Sequence, residues 1–211
     1  MSSPKVAIII YSMYGHIAKL AESVKQGIAD AGGSATIYQI SETLSDEVLA
    51  KVHAPPKPDY PTITPAQLPS FDAYVFGIPT RYGNFPAQWK ASIFPSFAFW
   101  DATGGLWVKG ALAGKFAGVF ISTGTQGGGQ EATAMNTLST LIHHGICFVP
   151  LGYASAFHIF NNTDEARGGS AWGAGTFAGA QGARQPSALE LELARIQGRG
   201  FWGTVSRFKF D

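Results

Sequence analysis

The run Val6-Ala7-Ile8-Ile9-Ile10 does most to limit what this chain can fold into. It is apolar throughout and largely β-branched, with none of the polar alternation of a half-solvated strand. Both of its faces must be covered, which is the situation of a strand inside a parallel sheet flanked by helices. After the loop Tyr11 to His16, residues Ile17, Leu20, Ala21, Val24, Ile28 and Ala31 recur at helical spacing until Gly32-Gly33 stops the pattern. Ala35 to Ile40 then reads as a second strand. The opening of the chain is therefore a βαβ unit with a short strand-to-helix loop.

Further strands are predicted at Ala73 to Gly77, Phe116 to Ser122 and Cys147 to Pro150. Ser45 to Val52 reads as a short helix, and the Pro-rich stretch His53 to Pro69 as an extended surface loop. Met135, Leu138, Leu141 and Ile142 mark a helix that ends at Gly145. A last helix starts after Pro186, where Ser187 and Glu190 have the spacing of a capping box, and it carries Leu189, Leu193 and Ile196 on one side. Residues 161–186, rich in Gly and Ala, read as a long ordered loop. With no repeat and no linker, the 211 residues are expected to form one α/β domain, an open doubly wound sheet with helices on both faces.

Composition removes several function classes. An apolar fraction of 45% against 14% charged residues fits a compact fold and not a disordered chain. A net charge of +1 leaves no electrostatic footprint for nucleic acid and no polybasic membrane signal. The single cysteine, Cys147, excludes an intrachain disulfide, and its neighbours Ile146, Phe148 and Val149 suggest a buried small hydrophobe. The apolar run at the N-terminus is too short for a signal peptide and none approaches transmembrane length, so a cytoplasmic protein is expected, with no integral membrane association.

In doubly wound sheets ligands bind at the carboxyl ends of the strands. The loops there are the most unusual stretches of the chain: Ser12-Met13-Tyr14-Gly15-His16-Ile17, Pro79-Thr80-Arg81-Tyr82-Gly83-Asn84, and Ser122-Thr123-Gly124-Thr125-Gln126-Gly127-Gly128-Gly129. The first leads straight into a helix, whose free N–H groups and partial positive charge form a phosphate seat, with Ser12 as an added hydroxyl donor. An ordinary βα turn capped by Ser12 is the bland alternative. The second offers Tyr82 as a stacking surface, or else is a plain surface turn. The third spends glycines where backbone must come close to something, unless it is a flexible tip. Neither a Walker A loop nor a Gly-x-Gly-x-x-Gly follows the first strand; Gly173 to Gly179 is a near miss with no strand before it. His143 and His144 point about 100° apart on their helix, so no joint metal site is expected.

Together with Thr103-Gly104-Gly105-Leu106-Trp107, Gln130-Glu131, His143-His144-Gly145, Arg167-Gly168-Gly169 and the stretch Gly182 to Ser187, these loops resemble the WrbA-type NAD(P)H:quinone oxidoreductases, which include the fungal benzoquinone reductases. The resemblance implies a flavodoxin-like sheet of five parallel strands in the order 2-1-3-4-5, and a homotetramer (a dimer of dimers) with one FMN per subunit. It implies that Ser12, Met13, Tyr14, Gly15, His16 and Ile17 hold the FMN phosphate. Pro79, Thr80, Arg81, Tyr82, Gly83 and Asn84 would line the ring, and Ser122, Thr123, Gly124, Thr125, Gln126, Gly127 and Gly128 would wrap its polar edge. His143 would reach the flavin and serve as the catalytic hydrogen-bond or proton donor to a quinone. Tyr14 would contact NADH or NADPH, and Tyr82 and Trp107 would form aromatic walls for the quinone. A neighbouring subunit would complete the site.

None of the three loops contains Asp or Glu. Amides, hydroxyls and Arg81 around a reduced flavin favour its anionic form and two-electron chemistry, here a ping-pong hydride transfer through flavin N5. The alternatives are a one-electron carrier and a flavin-binding scaffold or stress protein with weak turnover. The segment Ser92 to Ala98 looks inserted relative to the family, with Pro95 expected to break a helix there, and Gln126 lengthens the third loop.

Overall fold

The computed structural model describes residues 3–90 and 99–210. The strands are β1 (Val6–Ile10), β2 (Ala35–Gln39), β3 (Ala73–Pro79), β4 (Phe116–Thr123), β5 (Cys147–Phe148) and β6 (Gly175–Phe177). The helices are α1 (His16–Asp30), α2 (Asp46–Lys51), α3 (Ala87–Lys90), α4 (Gly104–Val108), α5 (Gln130–His143), α6 (Phe157–Phe160) and α7 (Ala188–Val205). All strand pairs are parallel, in the order β2-β1-β3-β4-β5, with β6 also on β4.

All of β1 is buried, as its continuous apolar run required. Its side chains divide between two cores. Val6, Ile8 and Ile10 join α1 and α7 on one face, while Ala7, Ile9 and the following Tyr11 join Phe76, Trp89, Trp100 and α5 on the other. Trp89 and Trp100 stack within the second core, as packing residues and not ligand contacts. Among the described residues no helix is long and apolar enough to cross a membrane.

The sheet differs from expectation along its β4 edge. The fifth strand was expected at Cys147 to Pro150, but β5 is two residues long and pairs only with Phe116 and Ala117 at the start of β4. The chain then leaves the sheet and returns as β6, which pairs with Ile121 to Thr123 at the other end of β4. One strand position is thus filled by two pieces, and part of the stretch read as loop, residues 161–186, is strand. Cys147 is correspondingly exposed rather than buried, because it sits on the short outer piece. The Pro-rich stretch after His53 is not wholly extended either: Pro65–Ser70 winds into a 3-10 turn capped by Thr64 and Gln67. The Ser187–Glu190 capping box forms as expected at the start of α7. The apparent insert Ser92 to Ala98 lies outside the described residues.

From β1 the chain moves outward to β2 and then crosses back to β3. The loops after β1 and β3 therefore diverge over a crevice at the carboxyl edge of the sheet, the place where such folds take ligands.

Candidate functional site

A cleft of about 310 Å³ opens at that crevice. Its floor is the loop after β1, with Ser12, Met13, Tyr14, His16 and Ile17 lining it. Gly15 takes a left-handed conformation, φ 86°, and turns the chain into α1. No side chain caps this helix and its first turn holds no acid. Ser12 is not the cap: its Oγ only accepts a long bond from the Ala18 amide, at 3.4 Å. The first intrahelical bond runs from the Lys19 amide to the Gly15 carbonyl. Before it, the His16 and Ile17 N–H groups have no partner among the described residues and are left to an external acceptor, and an anion is the natural one.

The loop after β3 is a two-residue hairpin. Arg81 and Asn84 exchange backbone hydrogen bonds of 2.9 and 3.0 Å, and Tyr82 and Gly83 both take positive φ, 53° and 75°, as a type I′ turn requires. Tyr82 is fully exposed. A non-glycine residue held in this region carries backbone strain, and here the turn leaves an aromatic ring wholly in solvent. Thr80 anchors the hairpin: its Oγ1 accepts the Gly83 amide at 3.1 Å and lies 2.6 Å from Thr133 Oγ1 of α5. Asn136 donates to the Gly83 carbonyl at 2.6 Å. Arg81 reaches back toward Met13 Sδ, at 3.7 Å.

Ser122, Thr123 and Gly124 line a third side. Thr123 Oγ1 donates to the Thr125 carbonyl at 2.8 Å, and Gln130 ties Thr123 to β6 by donating to the Thr176 carbonyl at 2.9 Å. The fourth side is the turn after β6: Ala178, Gly179, Gln181 and Gly182. Sequence reading missed this side. Its signal was present in the run Gly173 to Gly179, set aside for want of a preceding strand, because the strand lies inside that run.

Among the described residues no carboxylate lines the cleft. Glu42 is held behind it, accepting from the Tyr11 hydroxyl at 3.0 Å and from Lys57 at 2.5 Å. Burial pushes the Glu42 carboxyl up, but Lys57 and the Leu44 and Thr43 amides outweigh it and hold the carboxyl below its usual range. Burial first, then Glu42, push the Tyr11 phenol far above its usual value, so it stays a neutral donor. His16 is buried, and its Nε2 donates to the Arg184 carbonyl at 2.6 Å, a bond across the cleft and not within its own loop.

Of the predicted residues, Ser12, Met13, Tyr14, His16, Ile17, Pro79, Thr80, Arg81, Ser122, Thr123 and Gly124 come together around the cleft. Gly15, Tyr82, Gly83, Asn84, Thr125, Gln126, Gly127 and Gly128 belong to the same loops without lining it. Trp107 and His143 do not join them. α5 begins beside the cleft at Gln130 and runs away from it for 14 residues, which puts His143 about 20 Å off at its far end. Trp107 shares that end: Thr103 of the turn before α4 is hydrogen-bonded to His144, at 2.9 Å. His143 thus stands apart from the cleft of its own chain, because the helix carrying it runs away from that cleft.

Residues 8–145 match the family model described as Flavodoxin. The chain is 63% identical to a protein of Candida albicans named NAD(P)H quinone oxidoreductase PST3, over 97% of this chain and all of that one. It is 62% identical, with the same coverage, to Protoplast secreted protein 2 of Saccharomyces cerevisiae. Among solved structures, a flavodoxin, WrbA-like protein from Agrobacterium tumefaciens superposes with a TM-score of 0.61 at 22% identity, covering 98% of this chain and 100% of that one. The family model covers more than half of the residues, the parallel sheet with helices on both faces agrees with it, and the chain belongs to the flavodoxin family.

Proposed function

We propose that this chain holds FMN in the cleft and reduces quinones to hydroquinones with two electrons from NADH or NADPH. The observation that carries the reading is the bare start of α1 at one end of a cleft without carboxylates. Its free amides and the Ser12 hydroxyl suit a phosphate, and the remaining walls of amides, hydroxyls and one guanidinium suit a polar ring system that becomes anionic on reduction. The volume is of the size that takes a small ligand. Relatives 57–63% identical that bear the name NAD(P)H quinone oxidoreductase support the reaction.

FMN held there would supply the hydride chemistry that links oxidation of NADH or NADPH to reduction of a quinone, in two separate half-reactions. The chain's own part is placement. Residues 12–17 seat the phosphate, Thr80, Arg81 and Tyr82 face the ring, and residues 122–128 meet its polar edge. Arg81 supplies positive charge where negative charge develops. Tyr14, fixed by donating to the Val52 carbonyl at 3.0 Å, offers a face to the nicotinamide nucleotide. Trp107 and His143 stand far from their own cleft, so they serve the cleft of a neighbouring copy in a homotetramer, Trp107 as a quinone wall and His143 as the donor to the quinone oxygen. The exposure of Trp107, Val108, Met135 and Ile142 fits a face that another copy covers.

The test is spectroscopic. Purified protein with added FMN should show a bound-flavin spectrum that NADPH bleaches without oxygen and benzoquinone restores, and should turn over both substrates in steady state. Flavin binding without quinone turnover would favour a one-electron carrier or a scaffold. An absence of flavin binding would remove the reading altogether.

A further inference from the structure

The side chain of Glu190 is fully buried, and a buried carboxylate is costly unless both its oxygens are hydrogen-bonded and its charge is paired. Both conditions hold here. One oxygen accepts the Gly168 amide at 2.8 Å; the other accepts the Thr176 hydroxyl at 2.7 Å, the Ser187 amide at 2.9 Å and Arg184 Nη1 at 2.9 Å. Capping α7 needs only the bond to Ser187. The other donors come from three further segments, and Arg184 spreads the connection by donating also to the Phe177 carbonyl at 3.0 Å and the Ala166 carbonyl at 3.2 Å.

What this pair fixes is the arc from Ala178 to Arg184, the fourth side of the cleft. The Arg184 amide closes it by donating to the Ala178 carbonyl at 2.9 Å, and the Arg184 carbonyl accepts a hydrogen bond from His16 Nε2. The arc faces the phosphate end: a methyl group placed on Gly182 would lie 3.3 Å from Tyr14 Cγ. Its tip holds a residue in an unfavourable state. Gln181 has φ 54° and ψ 21°, the left-handed region, which glycine would occupy without strain. The Gln181 side chain gives the fold nothing in exchange. It is exposed, forms no hydrogen bond among the described residues, and lines the cleft.

We propose that Gln181 is a cofactor-binding residue whose amide hydrogen-bonds the phosphate or ribityl part of the bound mononucleotide, and that Arg184 and Glu190 are positioning residues that hold the arc carrying it. The inference rests on the reading of the cleft as an FMN site. It is tested by titrating apoprotein with FMN, following flavin fluorescence, with the melting temperature of each apoprotein measured in parallel.

Gln181→Gly should melt at or above the wild-type apoprotein while binding FMN about fivefold more weakly, opposite signs that no purely structural role produces. Arg184→Met should weaken FMN about tenfold, and Arg184→Lys should recover part of the loss. In the Gln181→Gly background, Arg184→Met should cost much less further affinity, since it acts through the same contact. Wild-type FMN affinity in Gln181→Gly overturns the contact, whatever the melting temperatures. Full additivity of the two substitutions overturns the positioning role. If the wild-type apoprotein itself takes up no FMN, the cleft reading fails first, a result unlike binding that ignores Gln181.

Discussion

The Ser12 hydroxyl accepts one long bond from the Ala18 amide and points into the cleft, so its place in the fold and its place in the site can be separated. Ser12→Ala should lower apoprotein stability by no more than about 1 kcal/mol, the scale of one weak hydrogen bond. A bond to a charged phosphate is stronger, and the same substitution should weaken FMN binding about tenfold, read by fluorescence titration. Glu42 behaves in the opposite way, because its five donors belong to the chain: Tyr11, Lys57, Gln88 and the amides of Thr43 and Leu44. Its folded-state pKa lies below the unfolded value of 4.5, so its stabilisation is complete above that value and is lost as pH falls through the folded-state value. Glu42→Gln should therefore melt below the wild type at pH 7, and the gap should close as both are acidified below the carboxylate range. A gap that stays constant through that range and below it would show that the Glu42 charge contributes nothing.

Among the elements, α1 and α7 cross at closest approach through two glycines. A Cβ on Gly27 would lie 1.9 Å from the Arg195 carbonyl oxygen, and one on Gly198 would lie 2.0 Å from that of Val24. Neither obstacle is a side chain that can turn away. Gly198→Ala should therefore destabilise by about 3 kcal/mol or more, the upper end of overpacking costs, measured by chemical denaturation. Helical spacing made α1 readable, but nothing in the sequence around Gly27 announced this contact. The same limit explains the rest of the comparison. β1, β3 and β4 were legible because strands buried on both faces are written as continuous apolar runs. The three loops were legible because strand ends fix where ligands bind. β6 was not, because Gly175-Thr176-Phe177 is too short to carry a period and becomes a strand only by lying against the end of β4. The fourth side of the cleft was equally hidden, since its shape depends on a carboxylate in α7 several residues later in the chain. Cys147 was misread because its apolar neighbours gave no sign that β5 stops after two residues.

At the scale of the whole molecule, Trp107 and His143 pose the question of which cleft they serve. Trp107 and Val108 are 55% and 77% exposed on α4, and Ile142 is 70% exposed beside His143 on α5. His143 Nδ1 donates to the Ser139 carbonyl at 2.7 Å, which leaves Nε2 without a hydrogen bond among the described residues. With the length of α5 between it and the nearest cleft wall, any action of His143 on a bound ligand is expected to be on one held by another copy. Two inactive variants separate the parts. Ser12→Asp sets a carboxylate in the phosphate seat and should abolish FMN binding, leaving Trp107 and His143 intact. The double variant Trp107→Ala, His143→Ala should keep FMN and lose quinone turnover. Co-expressed in equal amounts and assorting at random, half of the clefts bind FMN and half of those face an intact partner edge, so about one quarter of wild-type activity should return. If each cleft were completed within its own chain, the mixture would show only the mean of its two inactive parents. That outcome would assign Trp107 and His143 to the cleft of their own chain, against the distance that α5 sets between them.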